Sequence, residues 1–561
     1  MNLFDVDKNK DRSFKVYFGN NPLNIKRIVA PSIIFCPTDD SWNDFKYKCR
    51  YRYFINYDDN KKLIEGQLFL GFLSEGEHVE ENGRISKSSR IFEASELPDF
   101  FTLQGEMQDY RHFIETHGVQ ESNKLLLALN DLVASKRISH KIKLVNAAIK
   151  TNVFNLAFMR ESGRFFAFHN AETILDGVEY ENFSNISTDL SLSYELAGFS
   201  HYHTFDMNFE TNSILPKRMC MLIGRNGLGK SQALRTIVNS LIKGDERFFD
   251  RTQGRPLISR LLAIATPGET MNTFPPERAN KRIKYRRLIL NRNARAKNSR
   301  GFCELCIQLI RSEESIGEHN RWELFKESIN FLPNIKNIVV PLDKDLSVKS
   351  SHIIRIKDKY YIPLLKLNHG GEQAKLEIQG AIINNADPML LLNSNIFPLS
   401  SGQLAFIKFL VQACLFVENG TLVLLDEPET HLHPNFISKF VRVLDRLLKL
   451  TGSIAIIATH SAYFVREVPR TQVLVFKEAP DGQITIQNPR LKTFGADIGS
   501  ISYFVFEDEI TNALVEDLLA NFPVKHQDRI NILKELESEL SADVVMYLRR
   551  KLDIEAVDEG H

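Results

Sequence analysis

Cysteine is scarce, with six residues in 561 (Cys36, Cys49, Cys220, Cys303, Cys306 and Cys414). That speaks against a disulfide framework and for reduced thiols. Two of the six form a lone C-x-x-C, Cys303-Glu304-Leu305-Cys306. A zinc site would need a second ligand pair, and only a scattered residue such as His319 is on offer; a helix burying two small side chains is the preferred reading. Long apolar runs are missing too, since Lys408 interrupts the longest candidate, so no membrane-spanning helix is expected. Residues 1–8 lack the basic and apolar regions of a signal peptide. These absences set the expectation of a soluble, cytoplasmic chain with no membrane partner. An excess of one charge is also absent: the net charge is +1, so any nucleic-acid surface must be a local patch. No a/d pattern persists over several heptads, which excludes a long coiled-coil arm.

Against those absences one stretch stands out: Gly224-Arg225-Asn226-Gly227-Leu228-Gly229-Lys230-Ser231. It follows an apolar run, Met219-Cys220-Met221-Leu222-Ile223, that reads as a buried strand. It precedes Leu234, Ile237, Val238 and Leu241, which recur at helical spacing. This is G-x-x-x-x-G-K-S in the strand–loop–helix setting of a phosphate-binding loop. Gly224, Asn226, Gly227 and Gly229 let backbone N–H groups turn inward around phosphates, and the helix N-terminus adds its positive dipole end. Lys230 can bridge the terminal phosphates, and the Ser231 hydroxyl can ligate Mg²⁺.

The first 190 residues carry no nucleotide motif and read as an α+β domain of unknown role. Residues 45–53 alternate aromatic (Phe45, Tyr47, Tyr51, Tyr53, with Cys49) against basic (Lys46, Lys48, Arg50, Arg52), the pattern of a strand with two unlike faces. A half-buried strand with a solvated basic side is preferred there over a nucleic-acid surface. Residues 67–73 and 164–168 read as strands. Ser122 reads as the cap of a helix that runs on through Val133. The polar stretch 182–188 marks a boundary. One strongly basic stretch, residues 278–300, contains Lys281, Arg282, Lys284, Arg286, Arg287 and Arg292. It serves equally as a DNA, RNA or nucleotide-phosphate contact and as a solvated edge between domains.

Further on, Leu399-Ser400-Ser401-Gly402-Gln403 opens a helix. The strand Thr421-Leu422-Val423-Leu424-Leu425 then ends in Asp426-Glu427-Pro428-Glu429-Thr430-His431-Leu432-His433-Pro434, and another strand ends in Thr459-His460-Ser461. Apolar strands that deliver polar residues at their carboxyl ends describe a mostly parallel sheet with its ligand at that edge. Asp426 emerges where a carboxylate can hold Mg²⁺ beside Ser231. Glu427 is the candidate general base, with a second metal-shell carboxylate as the alternative. His460 can donate to a γ-phosphate.

The ordered set of phosphate loop, L-S-S-G-Q, Asp-Glu and Thr-His resembles the ABC-type ATPases, in particular their SMC/RecF/OLD-like soluble branch, over residues 191–500. The resemblance implies an α/β fold: an ABC-type P-loop core with a mostly parallel sheet and a helical signature lobe at about 302–420. The α+β domain would precede that core, and a short helical tail (501–561) would follow it. It implies that Ser400, Ser401, Gly402 and Gln403 form a signature serving the nucleotide on the opposite subunit. A homodimer, or a higher even-numbered oligomer, would then enclose ATP and Mg²⁺. Three departures bear on this. Ser401 replaces the commonest Gly, His433 stands where transporter-type ATPases carry Asp, and no clear glutamine-loop residue follows residues 261–265, with Gln253 and Glu269 weak substitutes. The Asp426–Pro434 segment and Phe494-Gly495-Ala496-Asp497-Ile498-Gly499 resemble PtuA-like ATPases of bacterial anti-phage systems, which implies a separately encoded nuclease partner. No nuclease site is legible, since Glu507-Asp508-Glu509 reads as a solvated helix start. The alternatives are a RecF/SMC-type DNA-repair or chromosome-maintenance ATPase and, with less support, a transporter's energy subunit.

Overall fold

The computed structural model describes residues 14–38, 47–57, 63–73, 77–137, 141–196, 202–265, 273–277, 282–289, 301–330, 334–343, 351–383, 386–431, 434–479, 483–506, 513–523 and 526–552. Lys281, Arg292, His433 and the Glu507–Glu509 cluster lie outside them.

Six strands open the chain: β1 (Lys15–Phe18), β2 (Ser32–Pro37), β3 (Arg50–Asn56), β4 (Ile64–Phe72), β5 (Phe92–Glu93) and β6 (Phe100–Leu103). They form one mixed sheet in the order β5-β1-β2-β3-β4-β6. In β3 the expected alternation holds. Tyr51 and Tyr53 are buried, while Arg50 and Arg52 face outward and Arg52 pairs with Glu65 of β4 at 3.3 Å. Six helices accompany the sheet: α1 (Glu77–Lys87), α2 (Met107–His117), α3 (Val119–Ala128), α4 (Leu132–Arg137), α5 (Ile142–Ala148) and α6 (Ser162–Asn170).

Two expectations are corrected here. Residues 164–168 are helix, not strand: Arg-Phe-Phe-Ala-Phe is a short apolar run that periodicity alone cannot assign. In α6 the buried Arg164 donates to the Phe158 and Ala157 carbonyls and stacks 3.9 Å from the Phe69 ring centre. Ser122 caps nothing; it lies inside α3, and its hydroxyl donates to the Phe113 carbonyl at 2.8 Å. The start of α3 is Gly118, at φ +74°, and the helix ends before Asn130, which at φ +56° breaks it from α4.

A three-stranded antiparallel sheet follows, built from β7 (Asp189–Glu195), β8 (Tyr202–Asn208) and, further on, β10 (Phe248–Asp250). Between β8 and β10 come β9 (Met219–Gly224) and α7 (Lys230–Lys243). With β11 (Arg260–Ala265) and β12 (Lys284–Ile289) the chain enters the large sheet. Then come α8 (Phe302–Ile310), a short ribbon of β13 (Ser315–Ile316) and β14 (His319–Asn320), and α9 (Arg321–Ile329).

Cys303 and Cys306 lie buried in α8, as the helix reading expects. Burial pushes the Cys303 thiol up to about 12, and its Sγ donates to the Ala386 carbonyl at 3.1 Å. The lobe is more than helical. It carries a five-stranded antiparallel sheet of β15 (Ile338–Leu342), β16 (Ile354–Ile356), β17 (Lys359–Pro363), β18 (Met389–Leu392) and β19 (Asn395–Pro398), with α10 (Glu372–Ala381) before β18.

The last segment supplies α11 (Ser401–Phe416), β20 (Leu422–Asp426), α12 (Pro434–Thr451), β21 (Ile454–Thr459), α13 (Ala462–Val465), β22 (Val473–Glu478) and β23 (Ile484–Gln487). Helices α14 (Ile498–Phe506), α15 (Ala513–Ala520), α16 (His526–Leu536) and α17 (Ala542–Lys551) close the described chain. The central sheet runs β12-β11-β20-β21-β9-β22-β23, parallel except for the β22–β23 pair.

Its central strands β9, β20 and β21 are apolar on both faces because both are covered. Leu422 and Leu424 of β20 join an apolar cluster with Phe101, Leu125 and Phe166 of the amino-terminal region. Val423 and Leu425 join a second cluster with α8, α9, α11 and α12. The core is therefore continuous across residues 182–188.

A buried polar hub lies in the turn between α11 and β20. Glu418 Oε1 accepts from Arg111 Nη2 at 2.6 Å, and its Oε2 lies 3.8 Å from Arg260 and 3.7 Å from Arg321. Arg111 also makes a two-pronged contact with Glu181, donating from Nε at 2.8 Å and from Nη2 at 2.6 Å. Burial alone would raise the Glu418 carboxyl, but the three guanidinium groups outweigh it and hold it at about 2. The hub ties α2, β11, α9 and the end of α11 to the base of β20.

Candidate functional site

Strand β9 ends at Gly224, and the chain turns through a loop whose glycines adopt φ values that side chains avoid: +158° at Gly224, +86° at Gly227 and +90° at Gly229. At Gly224 a Cβ would sit 2.5 Å from the Phe476 carbonyl of the neighbouring β22, so this position admits nothing larger. Asn226 and Gly227 are exposed at the loop's tip. Lys230, at the start of α7, is buried and folds back over the loop, donating from Nζ to the Gly224 and Arg225 carbonyls at 2.8 and 2.9 Å. Burial lowers its pKa.

Ser231 reaches across to the end of β20. Its hydroxyl donates to Asp426 Oδ1 at 2.9 Å, and the Thr273 hydroxyl donates to Oδ2 at 2.6 Å. Asp426 is 1% exposed, and burial pushes its carboxyl up to about 6. A carboxylate raised by burial and flanked by two hydroxyls suits a hard divalent cation, whose charge would offset that burial. Among the described residues no group of three or more His, Cys, Asp or Glu could hold a metal by itself. Magnesium would therefore need oxygen ligands from phosphate and water to complete its shell.

Glu427 follows at φ +49°, a region an L-residue enters at a cost. Its N–H donates to the Ala458 carbonyl at 2.9 Å, and its half-buried carboxylate lies 3.8 Å from His460 Nδ1. The His460 imidazole lowers the Glu427 pKa, and Glu427 in turn raises that of His460.

The chain carries a P-loop core: β9, the Gly224–Ser231 loop and α7 on a mostly parallel sheet. A family model described as "AAA domain, putative AbiEii toxin, Type IV TA system" matches residues 347–466, which hold the signature, the Asp426–Glu427 pair and His460 but not the phosphate loop. Protein ea59 of Escherichia phage lambda is 25% identical over 525 residues, covering 90% of this chain and 92% of that protein. UvrA2 from Deinococcus radiodurans overlaps it at a TM-score of 0.26 and 15% identity, over 54% of this chain and 37% of UvrA2's length. Stu0660 of Streptococcus thermophilus overlaps at a TM-score of 0.25 and 10% identity, over 53% and 76% of the two chains. Among the described residues no helix is long and apolar enough to cross a membrane.

The fold thus gathers Lys230, Ser231, Asp426, Glu427 and His460, spread over some 230 positions, at one sheet edge. The Ser400–Gln403 segment makes its described contacts at the start of its own helix. Ser400 caps α11 reciprocally with Gln403: Gln403 N–H donates to Ser400 Oγ at 3.3 Å, and Ser400 N–H donates to Gln403 Oε1 at 3.0 Å. Among the described residues no hydrogen bond or ion pair joins Ser400, Gly402 or Gln403 to the phosphate loop of their own chain.

The described basic residues of 278–300 lie at or beside β12, one of the sheet's two edge strands, and have local partners. Lys284 pairs with Glu106 and Arg286 with Glu277 at 3.2 Å, while Arg287 donates to the Phe274 carbonyl at 3.1 Å. Arg282 packs against Gly244 at the end of α7, where a Cβ would collide with its guanidinium.

Two site residues escaped the sequence reading. Thr273 has no motif and lies eight positions beyond β11. Glu429 sits in plain view inside Asp-Glu-Pro-Glu, but nothing in one sequence assigns it a partner. A cleft of about 760 Å³ also opens beside Ser231, lined by Tyr194, Tyr202, Arg235, Arg247 and Thr273 among others.

Proposed function

We propose that the chain is an Mg²⁺-dependent ATPase that works as a dimeric switch. The observation that carries this reading is the cluster of Ser231, Asp426, Glu427 and His460 around one phosphate loop. The loop's N–H groups and the start of α7 receive the β- and γ-phosphates, and Lys230 exchanges its two carbonyl partners for phosphate oxygens. Ser231 and Asp426 would hold Mg²⁺, which would neutralise charge on the phosphates when bound. Glu427 orients the attacking water and takes its proton, and His460 donates toward the γ-phosphate.

The signature, with no hydrogen bond or ion pair to its own loop among the described residues, serves the nucleotide of a second copy, and two copies in head-to-tail arrangement enclose two ATP molecules. Closure with ATP and loosening after hydrolysis make the switch. Its output, on the resemblance of the Asp426–Pro434 and Phe494–Gly499 segments, is control of a separately encoded nuclease in anti-phage defence. A phage-borne relative of matching length is in keeping with a role in the conflict between phage and host.

Complementation tests the shared site. Lys230→Ala and Gly402→Glu each abolish turnover alone. An equimolar mixture then regains roughly a quarter of parental activity, because half the pairs are mixed and each holds one intact site. Failure of the mixture to recover would refute the dimeric arrangement. Purification with native partners tests the output, and a complex without any nuclease would count against the defence role.

A further inference from the structure

Glu429 is a buried carboxylate that the reaction described above does not use. It lies in the turn Pro428–His431, and its side chain is 7% exposed. One oxygen, Oε1, accepts from the Thr459 hydroxyl at 2.7 Å and from the His460 N–H at 2.8 Å. The same oxygen lies 3.3 Å from His460 Nδ1, closer than Glu427 Oε1 at 3.8 Å. The other oxygen, Oε2, is buried without a hydrogen-bond partner among the described residues. A carboxylate that deep is costly unless a cation or several donors face it. Among the described residues, His460 is the cationic group that comes within ion-pair distance of it.

We propose that Glu429 is the positioning carboxylate of His460. It pins the end of β21 through Thr459 and the His460 N–H, and it accepts the imidazole Nδ1–H. The ring then presents Nε2 to the γ-phosphate, and Glu427 is left free for the water. This inference rests on the hydrolysis reading above. The physical need is plain, because His460 otherwise has two carboxylates competing for one ring nitrogen. If Glu427 won, the general base would be tied up in a contact with its neighbour. A histidine whose far nitrogen is fixed by a carboxylate keeps one tautomer and one orientation, the principle behind outer-shell partners of catalytic and metal-bound histidines.

The test compares steady-state ATP hydrolysis by the full-length protein and by Glu429→Gln, which keeps the shape and an oxygen acceptor but loses the charge. We expect kcat to fall about 10- to 100-fold with KM for ATP unchanged. In a His460→Ala background the same change is expected to cost less than about 3-fold, because the two residues act as a unit. Parental turnover by Glu429→Gln would overturn the proposal, and so would full additivity with His460→Ala, which would make Glu429 act independently of the imidazole. Should Glu429→Gln fail to fold, Thr459→Val loosens the same carboxylate from a neighbouring position. It is expected to lower kcat several-fold at constant KM, and parental kinetics there would also overturn the proposal. A parental protein that does not hydrolyse ATP defeats the hydrolysis reading and this inference together. An active parental protein with an equally active Glu429→Gln defeats the inference alone.

Discussion

Arg111 and Glu418 are 307 positions apart and meet at 2.6 Å with both side chains buried. The contact joins a helix of the amino-terminal region to the turn that links the signature helix with the strand carrying Asp426. Removing the guanidinium would leave Glu418 and Glu181 as buried charges short of donors. We expect Arg111→Ala to destabilise the protein by about 3–5 kcal/mol, measured by chemical denaturation. A loss below about 1 kcal/mol would show that the hub relaxes without it.

The same hub sets a pH dependence. Glu418 is held at about 2, below its ordinary 4.5, so the folded state binds this proton less readily than the unfolded chain. Its contribution to stability is therefore fully present above about pH 4.5 and is lost as pH falls toward 2. Denaturation midpoints taken between pH 6 and 3 should fall with acid, and Glu418→Gln should flatten that dependence while lowering stability at neutral pH.

Thr273 supplies the second hydroxyl to Asp426 at 2.6 Å. Thr273→Val keeps the volume and removes the donor. We expect the Mg²⁺ concentration for half-maximal ATP turnover to rise about 10-fold, with the fold intact. An unchanged requirement would mean that Thr273 plays no part in orienting Asp426.

Gly224 has no room for a side chain, with the Phe476 carbonyl 2.5 Å from where a Cβ would stand. Gly224→Ala must move β22 or distort the loop, at a cost of about 1–3 kcal/mol and with loss of nucleotide binding. Titration with a fluorescent ATP analogue together with a thermal melt separates the two effects.

The sequence was most legible where chemistry and periodicity coincide. The strand into Gly224, the helix opening at Leu399–Gln403 and the strand ends at Asp426 and Thr459 all carry short motifs on regular elements, and the fold places those elements as read. Legibility ended where long-range packing decides. Residues 164–168 look like a strand locally, yet Arg164 is drawn into a helix by carbonyls and by the ring of Phe69. The Glu418 hub is invisible in sequence because Arg111, Glu181, Arg260 and Arg321 belong to no common segment. Thr273 escaped for the same reason, and so did the pairing of Lys284 with Glu106, which stands 178 positions away in the sequence.

Phosphate release at saturating ATP and Mg²⁺, compared between the parental protein and Glu427→Gln, tests the central claim most directly. The parental protein is expected to turn over, and Glu427→Gln to be slowed about 100- to 10,000-fold while still binding ATP, because the phosphate contacts persist without the base. Equal rates would remove Glu427 from the chemistry, and a parental protein that binds ATP but never cleaves it would contradict the account at its root.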